Sequence, residues 1–317
     1  MRLIECAYRD KPRLGQSTRP VDDPIRLGQD VSLEFETSSL TSFVPGEDGA
    51  PPKLNGRFFG LFGPNGPMPL HLTDYIRQRI HFHRDHTLKR FADLFHHRML
   101  CLFYRAWADT EPTVSLDRPE SDRFGAYVGS LSGIGTEAFA ARDAMPDLAK
   151  LYFVGYLSCQ AKHAEGLRAM LAEFFRLPVS IDEFVGEWLV IQEKDQTRLG
   201  DTPRTGELGI SAILGSRVWS CQHKFRIRLG PLTLNEYCSL LPGGDRLEQL
   251  IAIVRNYIGD ELSWDVNLIL KKDEVPKARL GGYSVLGWTS WLGDRHSEAD
   301  ADDLTLNPFW GKLVDEQ

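Results

Sequence analysis

Between residues 85 and 107, Leu88, Phe91, Ala92, Leu94, Phe95, Met99, Leu102, Phe103 and Ala106 recur at helical spacing and cover more than one narrow stripe. A helix of that kind is buried on several sides or meets a partner. Just before it, Thr73 is placed to cap a shorter helix carrying Tyr75, Ile76, Ile80 and Phe82. Residues 57–62 read as an apolar strand closed by the turn GPNGP, so residues 55–107 carry the densest structural instruction in the chain.

The remaining pattern is looser. Leu3, Ile4, Ala7 and Tyr8 have helical spacing, and Pro12, Pro20 and Pro24 with Gly15 and Gly28 make the following connector extended. The alternation V-S-L-E-F predicts a strand over 31–35, followed by a polar Gly/Pro-rich loop over 37–53. Helices are predicted near 122–131, 136–142, 147–158 and 162–176. VSIDEFVGEWLVI is strand-like, and 192–205 is a polar loop. HKFRIRLG alternates strictly, with Lys224, Arg226 and Arg228 on one face and Phe225, Ile227 and Leu229 on the other. Helices over 233–241 and 245–258 and a strand at WDVNLIL follow, and the acidic DRHSEADADD reads as a frayed end. The texture divides the chain into a strand/turn/long-helix region (1–120), a helical middle (121–178) and a mixed C-terminal region (179–317). FFGLFGPNGPMPLHLTDY and FRIRLGPLTLNEY share a strand, a Gly-Pro turn and a helix start; duplication and chance both account for that echo.

Composition narrows the function classes. With 317 residues, 42% hydrophobic and 26% charged, the chain has the make-up of a globular protein with a substantial core. A net charge of −7 argues against a role in gripping phosphate backbone, so no nucleic-acid partner is expected. The five cysteines are scattered and form no C-x-x-C, which suits a reducing compartment. No apolar run approaches bilayer-spanning length and the first residues lack an apolar leader, so a cytoplasmic location without membrane insertion is expected.

Candidate chemistry is sparse. Gly60, Gly63 and Gly66 lack phosphate-loop spacing, and Pro64 and Pro67 remove backbone donors, which favours a rigid turn. Six of the nine histidines lie between His71 and His97, and His81/Asp85 and Asp93/His97 have the i, i+4 spacing of helical metal ligands. A metal-dependent hydrolase built on His81, His83, Asp93 and His97 is therefore the enzymatic alternative to hydrogen-bonded structural histidines. No nucleophile elbow is present. Phe103, Tyr104 and Trp107 beside Arg98 and Arg105 have the composition of either a core or a binding hot spot. The Lys224/Arg226/Arg228 face reads as a solvated strand face or a contact for an acidic surface.

Three strings, FFGLFGPNGPMPLHLTDY, FADLFHHRMLCLFYRAW and GSRVWSCQHKFRIRLGPLTLNEY, resemble the TssG family (also called ImpH or VasB), the baseplate subunit of the type VI secretion system. RLIECAYRDKPRLGQSTRPVDDPIRLGQ is similar to the family's early region, although members begin with further helical residues, so the chain starts late by comparison. The resemblance implies a non-enzymatic scaffold without cofactor or metal. Its fold would be α+β, a mixed helical and strand structure like phage baseplate wedges, with extended loops and helices that join a core bundle with partner subunits. Two copies of TssF would complete the wedge, TssK trimers would dock on it, and TssE and the spike hub would lie nearby. On this reading Phe91, Phe95, Arg98, Phe103, Tyr104 and Trp107, with Lys224, Arg226 and Arg228, face TssF or the core. Loops 37–55, with Phe43 and Pro45, and 192–217 are candidates for TssK.

Overall fold

Short strands alternate with helices of very unequal length in the computed structural model, which describes residues 1–35, 38–46, 50–198, 206–277, 285–293 and 297–308. The fold is α+β, and the chain separates into two units, Met1–Tyr127 and Val128–Gln317.

The first unit holds α1 (Arg2–Ala7), β1 (Arg26–Gln29), β2 (Leu40–Val44), β3 (Lys53–Gly56), α2 (Leu70–His83), α3 (Thr87–Ala108) and α4 (Pro112–Leu116), and α5 (Arg123–Ser130) runs across its boundary. Its sheet has the order β1-β3-β2, with β1 parallel and β2 antiparallel to β3. The main core joins Leu14, Ile25 and Leu27 to Leu100, Cys101, Tyr104 and Ala108 of α3 and Val114 of α4. Glu5, buried on α1, accepts from the Leu14 N–H, the Tyr104 hydroxyl and Arg105, which ties the N-terminal segment to α3.

Four local readings change here. Residues 31–35 are not a strand, and Phe35 is exposed; the strand that forms is the less apolar RLGQ just before them. Residues 57–62 are irregular, because side chains satisfy their backbone: Gln29 bonds both the N–H and the carbonyl of Phe62, and His96 accepts from Leu61 N. Gly60, at φ +144°, has no room for a side chain, since a Cβ would fall on the Gln29 amide. The turn is closed by backbone bonds from Gly66 N to Gly63 O and from Met68 N to Leu61 O. Thr73 does not cap α2, which starts at Leu70 after Pro69; its side chain is buried within the helix. The 37–53 loop contains β2, while residues 36, 37 and 47–49 lie outside the described residues.

In the second unit α6 (Asp147–Tyr152), α7 (Val154–Ser158) and α8 (Ala164–Phe175) precede β4 (Val179–Asp182), β5 (Glu187–Val190), β6 (Arg217–Ser220) and β7 (Lys224–Leu232). α9 (Leu234–Ser239), α10 (Asp245–Ile258), β8 (Ser263–Leu270) and β9 (Ala301–Leu306) complete it. The main sheet runs β4-β7-β8-β9, with β7 and β8 parallel, and β5 and β6 form a separate antiparallel ribbon. The alternation of β7 has the expected result: Phe225, Ile227 and Leu229 enter a core shared with Trp264, Val266 and Leu268 of β8. Leu167, Met170 and Leu171 of α8 and Leu250, Ile253 and Val254 of α10 close the same core, so helices after residue 128 and the C-terminal strands form one hydrophobic body. At the start of α9, Thr233 and Glu236 make a reciprocal capping box, and the backbone and hydroxyl of Thr233 hold the Glu236 carboxyl below its usual range.

Within the acidic segment expected to fray, residues 301–303 begin the edge strand β9, and residues 294–296 lie outside the described residues. Asn267 donates to the carbonyls of Asp302 and Leu304, and Trp291 Nε1 donates to Asp303, so polar side chains of the fold hold the strand in place.

Asp265 organises the polar face of this sheet. Arg226 grips it with two hydrogen bonds of 2.6 and 2.9 Å, and Lys224 lies 3.2 Å away. Burial opposes its ionisation, but the hydrogen bonds from Arg226 and Lys224 outweigh that and hold the carboxyl below the usual range. The stability it lends is present above the ordinary carboxylate pKa of about 4 and is lost as pH falls through the lowered folded value. Asp265→Ala, which takes the carboxylate from Arg226 and leaves Lys224 with Glu187 alone, is expected to cost about 3 kcal/mol at neutral pH. In urea unfolding and in hydrogen exchange of the β7 amides, the variant falls below wild type at pH 7 and approaches it in acid; an unchanged variant would remove Asp265 from this role.

Candidate protein-interaction surface

α3 has two faces with different duties. Ala92, Asp93, His96, His97, Leu100, Cys101, Tyr104, Arg105 and Ala108 are buried. Three of its polar residues, spaced i, i+4, i+8, meet β1 and the residue that follows it: Lys89 Nζ lies 2.8 Å from Asp30 Oδ1, Asp93 Oδ1 accepts from Gln29 N at 3.0 Å, and His97 Nδ1 accepts from Leu27 N at 3.1 Å. The spacing fits because four helical residues rise about 6 Å, close to the roughly 6.6 Å between alternate strand amides. β1 uses its other edge on β3, so without α3 the N–H groups of Leu27 and Gln29 would be buried and unpaired.

These bonds set the tautomers. His97 accepts on Nδ1, so its proton is on Nε2, 2.9 Å from Asp23 Oδ2, whose other oxygen accepts from Ser17. His96 accepts on Nε2 and donates from Nδ1 to Asp93 at 3.2 Å. The ligand atoms of Asp23, His97 and Cys101 fall within 4.8 Å of one another, and among the described residues no other group of three has metal-ligand proximity. Asp23 sits at one ring nitrogen and the Cys101 sulfur 3.9 Å from the other, both nitrogens already bonded. That arrangement is a hydrogen-bonded chain rather than a cage. Burial, reinforced by the Asp23 charge, pushes the Cys101 thiol up to about 12, so it is neither thiolate ligand nor nucleophile near neutral pH.

The hydrolase grouping is not assembled. His81 and His83 are exposed on α2, whereas Asp93 and His97 are committed to β1.

The opposite face of α3 is apolar and open: Leu88, Phe91, Phe95, Met99 and Leu102 recur three and four residues apart, flanked by Leu94, Phe103 and Trp107, each at least two-fifths exposed. Phe91 and Phe95 meet edge to face, and Phe103 stacks on Phe59. Of the residues expected at an interface, Phe91, Phe95, Arg98, Phe103 and Trp107 lie on this open side. Tyr104 does not: it is buried, donates to Glu5, and burial with the Glu5 charge pushes its pKa upward.

Lys224, Arg226 and Arg228 share a sheet face as expected, but their charges are matched within it. Lys224 also meets Glu187 at 3.3 Å, and Arg228 approaches Asp182 and Asp302 at 3.7 Å. Phe43 and Pro45 are exposed on or beside the edge strand β2, along with Leu40 and Val44. The β5–β6 ribbon was not legible as a surface: Trp188 and Trp219 pair across it at 5.3 Å, exposed, with Trp219 packed over Gly186. The alternation of E-W-L-V and R-V-W-S was the available signal. Beyond the ribbon, Leu208, Ile210 and Leu214 are almost fully exposed, while residues 199–205 of the second candidate loop lie outside the described residues.

His97→Leu leaves the Leu27 N–H and the Asp23 carboxylate without their partner and is expected to destabilise the protein by about 2 kcal/mol. Asp93→Asn, which keeps an acceptor, is expected to cost less than Asp93→Ala. Urea midpoints and hydrogen exchange at Leu27 and Gln29 check both; equal costs for the two Asp93 variants would refute the acceptor role.

Among the described residues no helix is long and apolar enough to cross a membrane. Among curated protein sequences none matched the chain. The chain is similar to one in the cryo-electron-microscopy structure of a type VI secretion system TssK-TssF-TssG baseplate subcomplex: 20% identity, 68% of this chain and 90% of that one, TM-score 0.57. It is also similar to one in the baseplate complex from the type VI secretion system, at 22% identity over 96% of this chain and 87% of that one, with a TM-score of 0.64. At those identities the likeness concerns the fold. The family model "Type VI secretion, TssG" matches residues 1–293, and the chain therefore belongs to the TssG family, a structural component of the type VI secretion baseplate.

Proposed function

We propose that this chain is a non-catalytic wedge scaffold whose α3 outer face is buried against TssF and whose two arms engage TssK. The observation that carries the reading is the open stripe from Leu88 to Leu102. Burying an exposed Leu or Phe is worth about 1.5–3 kcal/mol, so a contiguous row of such side chains is a binding surface awaiting its partner. Its three- and four-residue spacing fits an apposed helix, as in a bundle. Two TssF copies satisfy this best, because a wedge with one scaffold and two TssF chains offers several helices to cover it. The arms, around Phe43 and Pro45 in the first unit and around Leu208 and Ile210 in the second, are the surfaces for TssK trimers. TssE and the spike hub lie beside the wedge, and assembly takes place in the cytoplasm at the inner face of the membrane without insertion. Tyr104 has no part in the contact, since it is committed to Glu5.

The test is co-purification. Phe95→Asp places a charge in the middle of the stripe and is expected to weaken TssF binding at least 30-fold, the equivalent of a hot spot of about 2 kcal/mol or more. Phe103→Asp is expected to act in the same direction. Leu208→Asp with Ile210→Asp should leave TssF bound and reduce TssK. Normal recovery of TssF with both phenylalanine variants would end the proposal, as would indifference of the wild-type chain to TssF and TssK.

A further inference from the structure

The open side of α3 carries one kind of charge. Acidic residues number 44 in 317, yet the 22 residues of Thr87–Ala108 include a single one, Asp93, and it is buried against β1. The helix has four Lys or Arg residues. Lys89 is committed to Asp30, and Arg105 is buried with Glu5 and Asp109 as its partners. Arg90 and Arg98 are exposed, and among the described residues neither is paired with a carboxylate; Arg98 donates instead to the Gly15 carbonyl at 3.4 Å. Leu94 stands four residues from each, so the two guanidinium groups and Leu94 form one edge of the apolar stripe, beside Phe91 and Phe95.

That edge restricts what can cover the stripe. A second copy of this chain, meeting α3 with α3, would bring the same arginines to the contact and no exposed carboxylate from the helix to oppose them, and like charges in an interface are costly. An anionic lipid surface would supply negative charge, but it repels a chain of net charge −7 as a whole. A helix with apolar residues three and four apart and carboxylates beside them matches both features, as flanking charges do in coiled coils. Arg90 and Arg98 are two turns apart, about 12 Å along the axis, so their partners stand roughly seven or eight residues apart on the covering helix.

We propose that the TssF helix lying over α3 is acidic along one edge, with carboxylates that pair with Arg90 and Arg98 and fix the register in which the apolar residues meet. The inference rests on the wedge reading, in which TssF covers this stripe, and adds the charge that selects the partner and its alignment.

Binding of the full chain to TssF is measured at about 50 mM and about 300 mM salt, where exposed charges are weakly and strongly screened. Arg90→Glu with Arg98→Glu is expected to weaken binding about 30-fold at the lower salt and to remove the loss of affinity that salt causes in the wild-type chain. Arg90→Gln with Arg98→Gln acts in the same direction, by about tenfold. Arg168→Glu with Arg255→Glu, which alters net charge equally but in the second unit, leaves binding within about twofold. Hydrogen exchange at Leu27 and Gln29, which reports the buried side of α3, stays at the wild-type level in all three. In the complex of a chain carrying Arg90→Lys and Arg98→Lys, a carbodiimide is expected to join the substituted amines to carboxylates two turns apart on one TssF helix. Wild-type affinity and salt response in the Arg90→Glu, Arg98→Glu chain overturn the proposal, and leave the wedge reading standing where Phe95→Asp still loses TssF. Retention of TssF by Phe95→Asp removes the wedge reading and this proposal with it. Sedimentation of the wild-type chain with phosphatidylglycerol vesicles, lost in the Arg90→Glu, Arg98→Glu chain while both bind TssF alike, would assign the edge to lipid and also overturn it.

Discussion

The first unit depends on a helix acting as the neighbour of a strand. β1 is four residues long and pairs on one side with β3; on the other, α3 presents Lys89, Asp93 and His97 to Asp30, Gln29 and Leu27. A buried strand edge normally needs another strand, since an unpaired amide in the interior costs about 1–3 kcal/mol. Here the near-equality of four helical rises and two strand rises lets side chains do that work. Gly28, between the two paired amides, has no alternative: a Cβ would come within 2.9 Å of both Asn55 Oδ1 and Asp93 Oδ2.

The same contact explains why α3 is apolar on the outside. With polar side chains spent on β1, and Glu5, Tyr104 and Arg105 linked further along the same face, the helix is anchored by hydrogen bonds as much as by its core residues. Its outward phenylalanines and leucines take no part in that anchoring and stay exposed, and the proposed TssF contact rests on them. The second unit divides its labour differently: β7 sends its apolar side to a large core and its cations to Asp265, Glu187, Asp182 and Asp302, so its charged face is internally matched.

Both units project apolar residues away from their cores, through β2 in one and the β5–β6 ribbon in the other. The shared Gly-Pro motif that suggested duplication leads to different local structures: an irregular segment before α2 in the first unit, and the nine-residue strand β7 before α9 in the second. Side-chain bonds from Gln29 and His96 make that difference, because they satisfy the 61–62 backbone that would otherwise need a strand partner.

Periodicity alone determined α3, α8, α10, β7 and β8, because long regular repeats of apolar residues leave few ways to bury them. Family membership was legible too, carried by strings in which turn, helix and strand follow in fixed order. Tertiary structure decided which face of α3 is inside, since both are rich in apolar residues and the polar ones that mark the buried side look like metal ligands until β1 is placed beside them. It also decided that RLGQ rather than VSLEF is the strand, that Tyr104 is core, and that part of an acidic segment becomes β9. In each case the deciding partner lies far away in sequence, and a backbone amide or carboxylate shows its need for a partner only once water has been excluded from it.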